Sequence, residues 1–251
     1  MPLDFLDVIC KIEYRNNCRG DIVEKSINIF DEIDFKQDIV NALRLSIENI
    51  MPEIMVDYNL LERNGYGQFR WNAIISQLRD MCYHLGWIEL STCPRGGWRT
   101  PVLYHPRTSF IITLMTENTF KTVQKRTDKC KHYLCGGASF NQGLEPQYEQ
   151  IELELPGVPV DSEPWVVQSR EQLASAVKAS VEEIRGHVLV LFDTYADKLL
   201  SVRAVRLTPS LEISTAEEDW SELIGKVFNA YGMVKPQQNG EDEYEELVEL
   251  I

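Results

Sequence analysis

The chain has 251 residues with a formal net charge of −14, and its 44% hydrophobic and 25% charged residues exclude a disordered or fibrous class while leaving room for one large domain or two modest ones. No run of about 18 apolar residues offers a membrane span, and the opening MPLDFLDVICKIEYR is acidic where a secretory leader needs a basic stretch. A cytoplasmic protein with no membrane partner is expected, its six cysteines remaining free thiols in a reducing compartment.

In chain order, Phe5 to Arg15 fits a strand or a short helix equally, and Asn16 to Asp21 is turn chemistry. Ile22 to Ile33 again fits either element. Asp34 can cap a helix from Phe35 to about Met51, because Ile39, Ala42, Leu43, Ile47 and Ile50 recur at three- and four-residue intervals, and Pro52 then stops or kinks it. After the loop Asn64 to Gly67, Gln68 to Leu85 is the clearest amphipathic helix, with Gly86 as its C-terminal cap. A short strand at Trp87 to Leu90 and a loop at Ser91 to Gly97 follow.

The next stretch reads as a β-hairpin. Trp98 to Tyr104 and Phe110 to Met115 are apolar runs joined by His105 to Ser109, where Pro106 presets a turn. Pro101 cannot donate to a ladder, which places the first of these strands at an edge or a bulge. Thr116, Glu117 and Asn118 cap a helix from about Thr119 to Cys135, broken by Gly136 and Gly137. A strand at Tyr148 to Leu155, a proline-rich connection to Pro164 and a helix from Ser169 to Arg185 come next, the helix opened by the capping pattern Ser169-Arg170-Glu171-Gln172. Strands Val188 to Phe192 and Leu199 to Leu207 form a second hairpin-like unit across Asp193 to Lys198, and Trp220 to Asn229 suits a small helix. The Glu-rich Gln237 to Glu249 is expected to be mobile or to fold against a partner.

This pattern predicts an α+β fold: a mainly antiparallel sheet built from two hairpin units, with packed helices. An N-terminal segment 1–62, a main body 63–235 and an acidic tail 236–251 are the expected divisions.

Charge is unevenly spread along these elements. Residues 63–132 carry 11 basic against 4 acidic side chains, and 211–251 carry 11 acidic against 2 basic. Such a basic middle either binds an anion or pairs with the chain's own acidic tail, the commoner use of exposed charge.

Thiols and imidazoles crowd between residues 82 and 135, where Cys82, His84, Cys93, Cys130, His132 and Cys135 would be the ligands of a metal site. Their spacing does not suit one, since Cys82 and His84 fall about 200° apart on a helix. Neither a metal nor a cofactor is expected. Cys93, in a loop before Arg95-Gly96-Gly97, could act as a nucleophile with His84, His105 or His132 as base, but no spacing enforces that geometry. Glu24-Lys25 and Asp193 with Asp197-Lys198 do not reproduce an acidic residue followed by a strand-borne Glu-x-Lys, as a metal-dependent nuclease would need; turn formation explains such carboxylates better. The phosphate-loop, dinucleotide, nucleophile-elbow and zinc-protease motifs are all missing from the sequence.

The strongest candidate surface is basic and aromatic. Lys121, Lys125, Arg126 and Lys129 recur at helical spacing and would share one face; Arg95, Arg99 and Arg107 at the hairpin ends extend it, and Trp98 and Tyr104 add aromatic area. Arginine beside aromatic rings serves both nucleic-acid grooves and protein hot spots.

At Arg70-Trp71-Asn72, Arg95-Gly96-Gly97-Trp98, Leu103-Tyr104, Thr113 to Glu117 and His132-Tyr133-Leu134 the sequence resembles an uncharacterised bacterial family, a domain of unknown function, over roughly residues 68 to 207. The resemblance implies a regulatory or defence role near mobile-element, toxin-antitoxin or phage-defence loci, and transfers no catalytic residue. The expectation is therefore a non-catalytic interaction or regulatory protein, a defence component or antitoxin-like partner. Its acidic tail would meet a basic or self-associating protein partner and its hairpin edge would accept a strand. The alternative is a nucleic-acid-directed protein or nuclease using the basic segment 95–131.

Overall fold

A computed structural model describes residues 29–59, 62, 65–95, 98–144 and 164–226. Among the described residues the chain folds as α+β around one six-stranded, mainly antiparallel sheet whose strands lie in the order β1 (Glu89–Arg95), β2 (Trp98–His105), β3 (Phe110–Thr116), β4 (Gly186–Tyr195), β5 (Lys198–Leu207) and β6 (Ile213–Asp219). The two expected hairpins are β2–β3 and β4–β5, but each is part of a three-strand meander. The meanders meet at a parallel pair, β3 with β4. A parallel pair needs a long crossover, and here α4 (Glu117–Gln124), α5 (Tyr133–Ala138) and α6 (Pro164–Ala176) lie within it.

Alternation along the strands sends side chains to two separate cores. On one face Leu103, Ile112, Leu114, Val190 and Phe192 pack against α1 (Ile33–Arg44) and α3 (Tyr66–Leu85). On the other, Val102, Ile111, Met115, Leu189 and Leu191 meet Phe120 and Val123 of α4, Leu134 of α5 and Leu173 of α6. Helices thus cover both faces. Lys36 of α1 and Glu218 of β6 form a buried ion pair that ties the first helix to the far edge of the sheet.

Several elements differ from expectation for identifiable reasons. The first helix is not stopped by Pro52; its backbone stays helical through a π-helical segment, Leu45–Ile50, into α2 (Met51–Asp57), and the widened π turn directly before the proline is where the helical ladder adjusts. The basic helix is shorter than expected, because α4 ends at Gln124 and the chain turns before α5. Gly136 and Gly137 lie within α5 rather than ending a helix. They are there for close approach: a Cβ at Gly136 would sit 2.6 Å from the Ser169 Cβ, and one at Gly137 would sit 2.8 Å from the His187 ring. Ser169 is interior to α6; the capping box falls at Ser180 and Glu183, opening a 3₁₀ turn. The β4–β5 turn uses Ala196 and Asp197, both at positive φ, as a two-residue hairpin of primed type requires.

Asn141 joins the second meander to the crossover. Its side chain donates to the His187 and Leu207 carbonyls at 2.8 and 3.1 Å and accepts from the His187 N–H at 2.8 Å, so one fully buried amide links β4 and β5. The expected strand at Tyr148 to Leu155 and the acidic tail lie outside the described residues.

Candidate functional site

The site begins with Pro101. Strand β2 is an inner strand, between β1 and β3, and not the edge expected from its proline. The proline acts more locally. Its ladder with β3 runs from His105–Phe110 to Val102–Thr113 and stops there, while β3 stays paired with β4 along its whole length. In that register Pro101 would face Leu114 and Thr100 would face Met115. Instead the strands part, and these four residues line a cleft of about 570 Å³. Proline has no N–H to continue the ladder, which is a sufficient physical reason for the parting.

Four elements besides the two strands build the walls. Trp71 comes from α3, packed edge-on against Phe192 at 5.9 Å between ring centres. Thr119 comes from the first turn of α4, which Thr116 caps by accepting its N–H at 3.3 Å. Arg126 and Lys131 come from the turns after α4, and His132 and Tyr133 from the start of α5, where His132 Nδ1 accepts the Leu134 N–H at 3.4 Å. Trp98, 49% exposed, and Arg99 complete the rim from the start of β2. Three rings and three cations therefore surround one opening, at the carboxyl end of the strand where the sheet changes from antiparallel to parallel, a place where open sheets bind ligands.

The cations are pre-positioned. Arg99 donates to Thr92 Oγ1 at 3.0 Å, and Arg126 forks onto Asp128 at 2.9 and 3.0 Å. That pair holds the Arg126 pKa above its ordinary value and the Asp128 carboxyl below its own. Lys131 lies 5.7 Å from the ring centre of Trp165 at the start of α6, itself 52% exposed. Among the described residues no carboxylate lines the cleft. Glu117, at the end of β3, is bound by Arg203, which donates to it at 2.5 and 3.0 Å and to Glu217 at 2.6 Å. Burial opposes the Arg203 charge, but the two carboxylates hold its pKa above the ordinary value, so the Glu117 carboxylate at the end of β3 is paired away.

The expected basic surface is only partly assembled. Trp98, Arg99 and Arg126 line the cleft. Arg95 ends β1 opposite Trp98. Tyr104 is half-buried against the second core. Arg107 belongs to the opposite end of the hairpin, roughly 20 Å along the strand, where it stacks 4.2 Å over Trp87 and pairs with Glu32 at 3.0 Å. Lys121 is exposed on α4, Lys125 caps that helix, and Lys129 donates to the Ser210 carbonyl at 3.0 Å. Lys121, Lys125, Arg126 and Lys129 therefore do not share a helical face. Trp71, Lys131 and Tyr133 were missed as site residues: Trp71 reads as the core face of a helix, and the other two become neighbours of β2 only through the crossover.

The cysteine and histidine cluster is dispersed. Cys82 is buried in the first core, where desolvation pushes its thiol up to about 12, while Cys93 and Cys135 lie in the second, across the sheet. Cys93 is in strand β1, not in a loop. Cys135 donates to the Lys129 carbonyl at 3.2 Å, Cys130 lies in the 3₁₀ turn 129–131 and His84 near the end of α3. No three His, Cys, Asp or Glu side chains group to hold a metal among the described residues. The Asp193 carboxylate accepts its neighbour's N–H, and Asp197 accepts the Tyr66 hydroxyl; both serve the hairpin.

Fold and cleft together describe an α+β protein with a cationic, ring-lined opening at a strand end. The chain belongs to a family of unknown function, DUF5986, matching it over residues 31–250. No curated protein and no solved structure matches it. Among the described residues no helix is long and apolar enough to cross a membrane.

Proposed function

We infer that this is a nucleic-acid-directed binding protein that works through the cleft between β2 and β3. The observation that carries the reading is the lining itself: Trp98, half exposed, and the partly buried Trp71 beside Arg99, Lys131 and the Asp128-bound Arg126, with the buried Tyr133 in the same lining and no carboxylate among the lining residues. Rings offer stacking and cations offer phosphate contacts, the pairing that nucleic-acid grooves use. A chain of net charge −14 repels phosphate at long range, so a local cationic site on it is a confined one.

A protein that holds a nucleic acid in this way regulates by occupancy, which keeps the regulatory role expected from the sequence. Strand addition to a protein partner would use β1 or β6, the two outer strands, rather than the strand that carries Pro101. Binding of labelled DNA and RNA oligonucleotides across a salt series tests the reading. Three phosphate contacts give a slope of log affinity against log salt of about −2 for single strands. A pair of charge reversals, Arg99→Glu with Lys131→Glu, should abolish the binding; no binding of any nucleic acid at low salt removes the proposal.

A further inference from the structure

Resting on that reading, we propose that the ligand is single-stranded and is held as a polymer, with successive bases stacked on Trp98 and Trp165 and the intervening phosphates on the cations between them. Two features of the surface lead there.

The first is its shape. Proteins that read a duplex insert a convex element, a helix or a two-stranded ribbon, into a groove. Here the protein is concave. An opening of about 570 Å³ admits a base or two with their phosphates, and only a base free of a duplex stack can enter and lie on its rings.

The second is repetition. Trp98 is 49% exposed on the rim, next in sequence to Arg99, on the part of β2 that has left β3; Trp165 is 52% exposed and lies just outside the lining, its ring centre 5.7 Å from the Lys131 ammonium that lines it. Each is an exposed indole next to a cation that lines the cleft. A nucleotide polymer is itself a repeat of ring and charge, so two ring-and-cation units match two successive nucleotides, whereas a mononucleotide satisfies one. Arg126 lies on the same lining, its guanidinium already shared with the Asp128 carboxylate, so the charge reversals are made at Arg99 and Lys131.

The test uses the full chain, with thymidine monophosphate, thymidine oligomers of increasing length, the matching RNA and a duplex of the same length, read by tryptophan quenching and anisotropy. Affinity should rise steeply from monomer to short oligomer, and the duplex should bind far more weakly than its strands. Trp98→Ala and Trp165→Ala should each weaken the oligomer roughly 5- to 100-fold, with Trp98→Phe and Trp165→Phe restoring most of it. Both side chains are about half exposed, and unchanged melting curves will show that the variants fold. The inference is overturned if the duplex binds as well as the single strand, if the monomer binds as tightly as the oligomer, or if Trp165→Ala leaves oligomer affinity unchanged. In those three cases nucleic-acid binding stands and only the single-stranded, two-ring mode is lost; absence of all binding instead sinks the functional reading beneath it. Equal affinity for the DNA and RNA strands supports recognition by rings and phosphates, and a preference for RNA supports the same mode with an added 2′-hydroxyl contact.

Discussion

The two ends of the β2–β3 hairpin are built from the same residue types and end differently. At the turn end, His105 is wholly buried among the rings of Phe30, Phe35 and Trp87, with centroids 4.9 to 5.1 Å away, and Arg107 stacks on Trp87 while pairing with Glu32. At the other end Trp71, Trp98 and Tyr133 stand beside Arg99, Arg126 and Lys131 around an opening. Rings and guanidinium are present in both. At the first end the segment before α1 fills the space between them with Phe30, which is 1% exposed; at the second the strands part and nothing of the described chain enters. The chain has closed its ring cluster with Phe30 at one end and leaves Trp98 half exposed at the rim of an opening at the other.

The largest expected effect breaks the closed end. Phe30→Ala removes a ring packed against Phe35, His105, Phe110 and Trp220, and should cost about 3 to 5 kcal/mol in urea unfolding. Trp98→Ala at the open end should change stability by no more than about 0.5 kcal/mol. Equal losses at the two positions would erase the distinction between a filled and a vacant end.

Acid sharpens it next. Burial lowers the pKa of His105, against the raising influence of Glu32, and full burial with the Arg206 charge nearby lowers that of His187 to about 3. Folding therefore weakens the proton affinity of both rings. The unfolded chain, with histidines near about 6.5, binds more protons below that value, so the contribution of these rings is complete above it and is lost as the pH falls. For His187 the loss continues to about pH 3, at about 1.4 kcal/mol for each pH unit. By ring NMR the His187 signals should stay those of a neutral imidazole well below about pH 6.5, and His105 should take up its proton below that value; a normal titration of the His187 ring would contradict its burial.

The sequence made the elements with strong local signals legible. Spacing placed α3 and its Gly86 cap, and turn chemistry marked the β2–β3 turn, but the sheet is not the expected pair of hairpin units, since two meanders join through the parallel β3–β4 pair. It missed β6, Ile213–Asp219, because the residues that strand buries on its alternating face are Ser214, Ala216 and Glu218, which do not look apolar. It joined Lys121 to Lys129 into one helix because three- and four-residue spacing is indifferent to where a helix ends. Of the site, the hairpin half was readable in Trp98, Arg99 and Pro101. The other half, Trp71, Lys131, Tyr133 and Trp165, is brought there by α3 and the long crossover, and non-local placement leaves no periodicity to read. Pro101 was the informative residue, though its consequence was a parted pair of strands inside the sheet and not an outer edge.

Pro101 also gives the smallest and most discriminating prediction. If the missing N–H is what parts β2 from β3, Pro101→Val supplies it in a residue well suited to a buried strand position. The ladder should then continue past Val102–Thr113, drawing position 101 toward Leu114 and closing the cleft from its floor. Each added main-chain bond is worth about 0.5 to 1.5 kcal/mol, offset in part by the loss of proline's restraint on the unfolded chain, so a net stabilisation of no more than about 1 kcal/mol is expected. Oligonucleotide affinity should fall several-fold in the same variant, by about 1 kcal/mol or more, because rings and cations that faced an opening would face paired backbone. A stabilised variant that binds as before would place the binding surface elsewhere. One that binds less without added hydrogen-exchange protection at Leu114 and Met115 would show that the proline shapes the cleft by its ring and not by its absent donor.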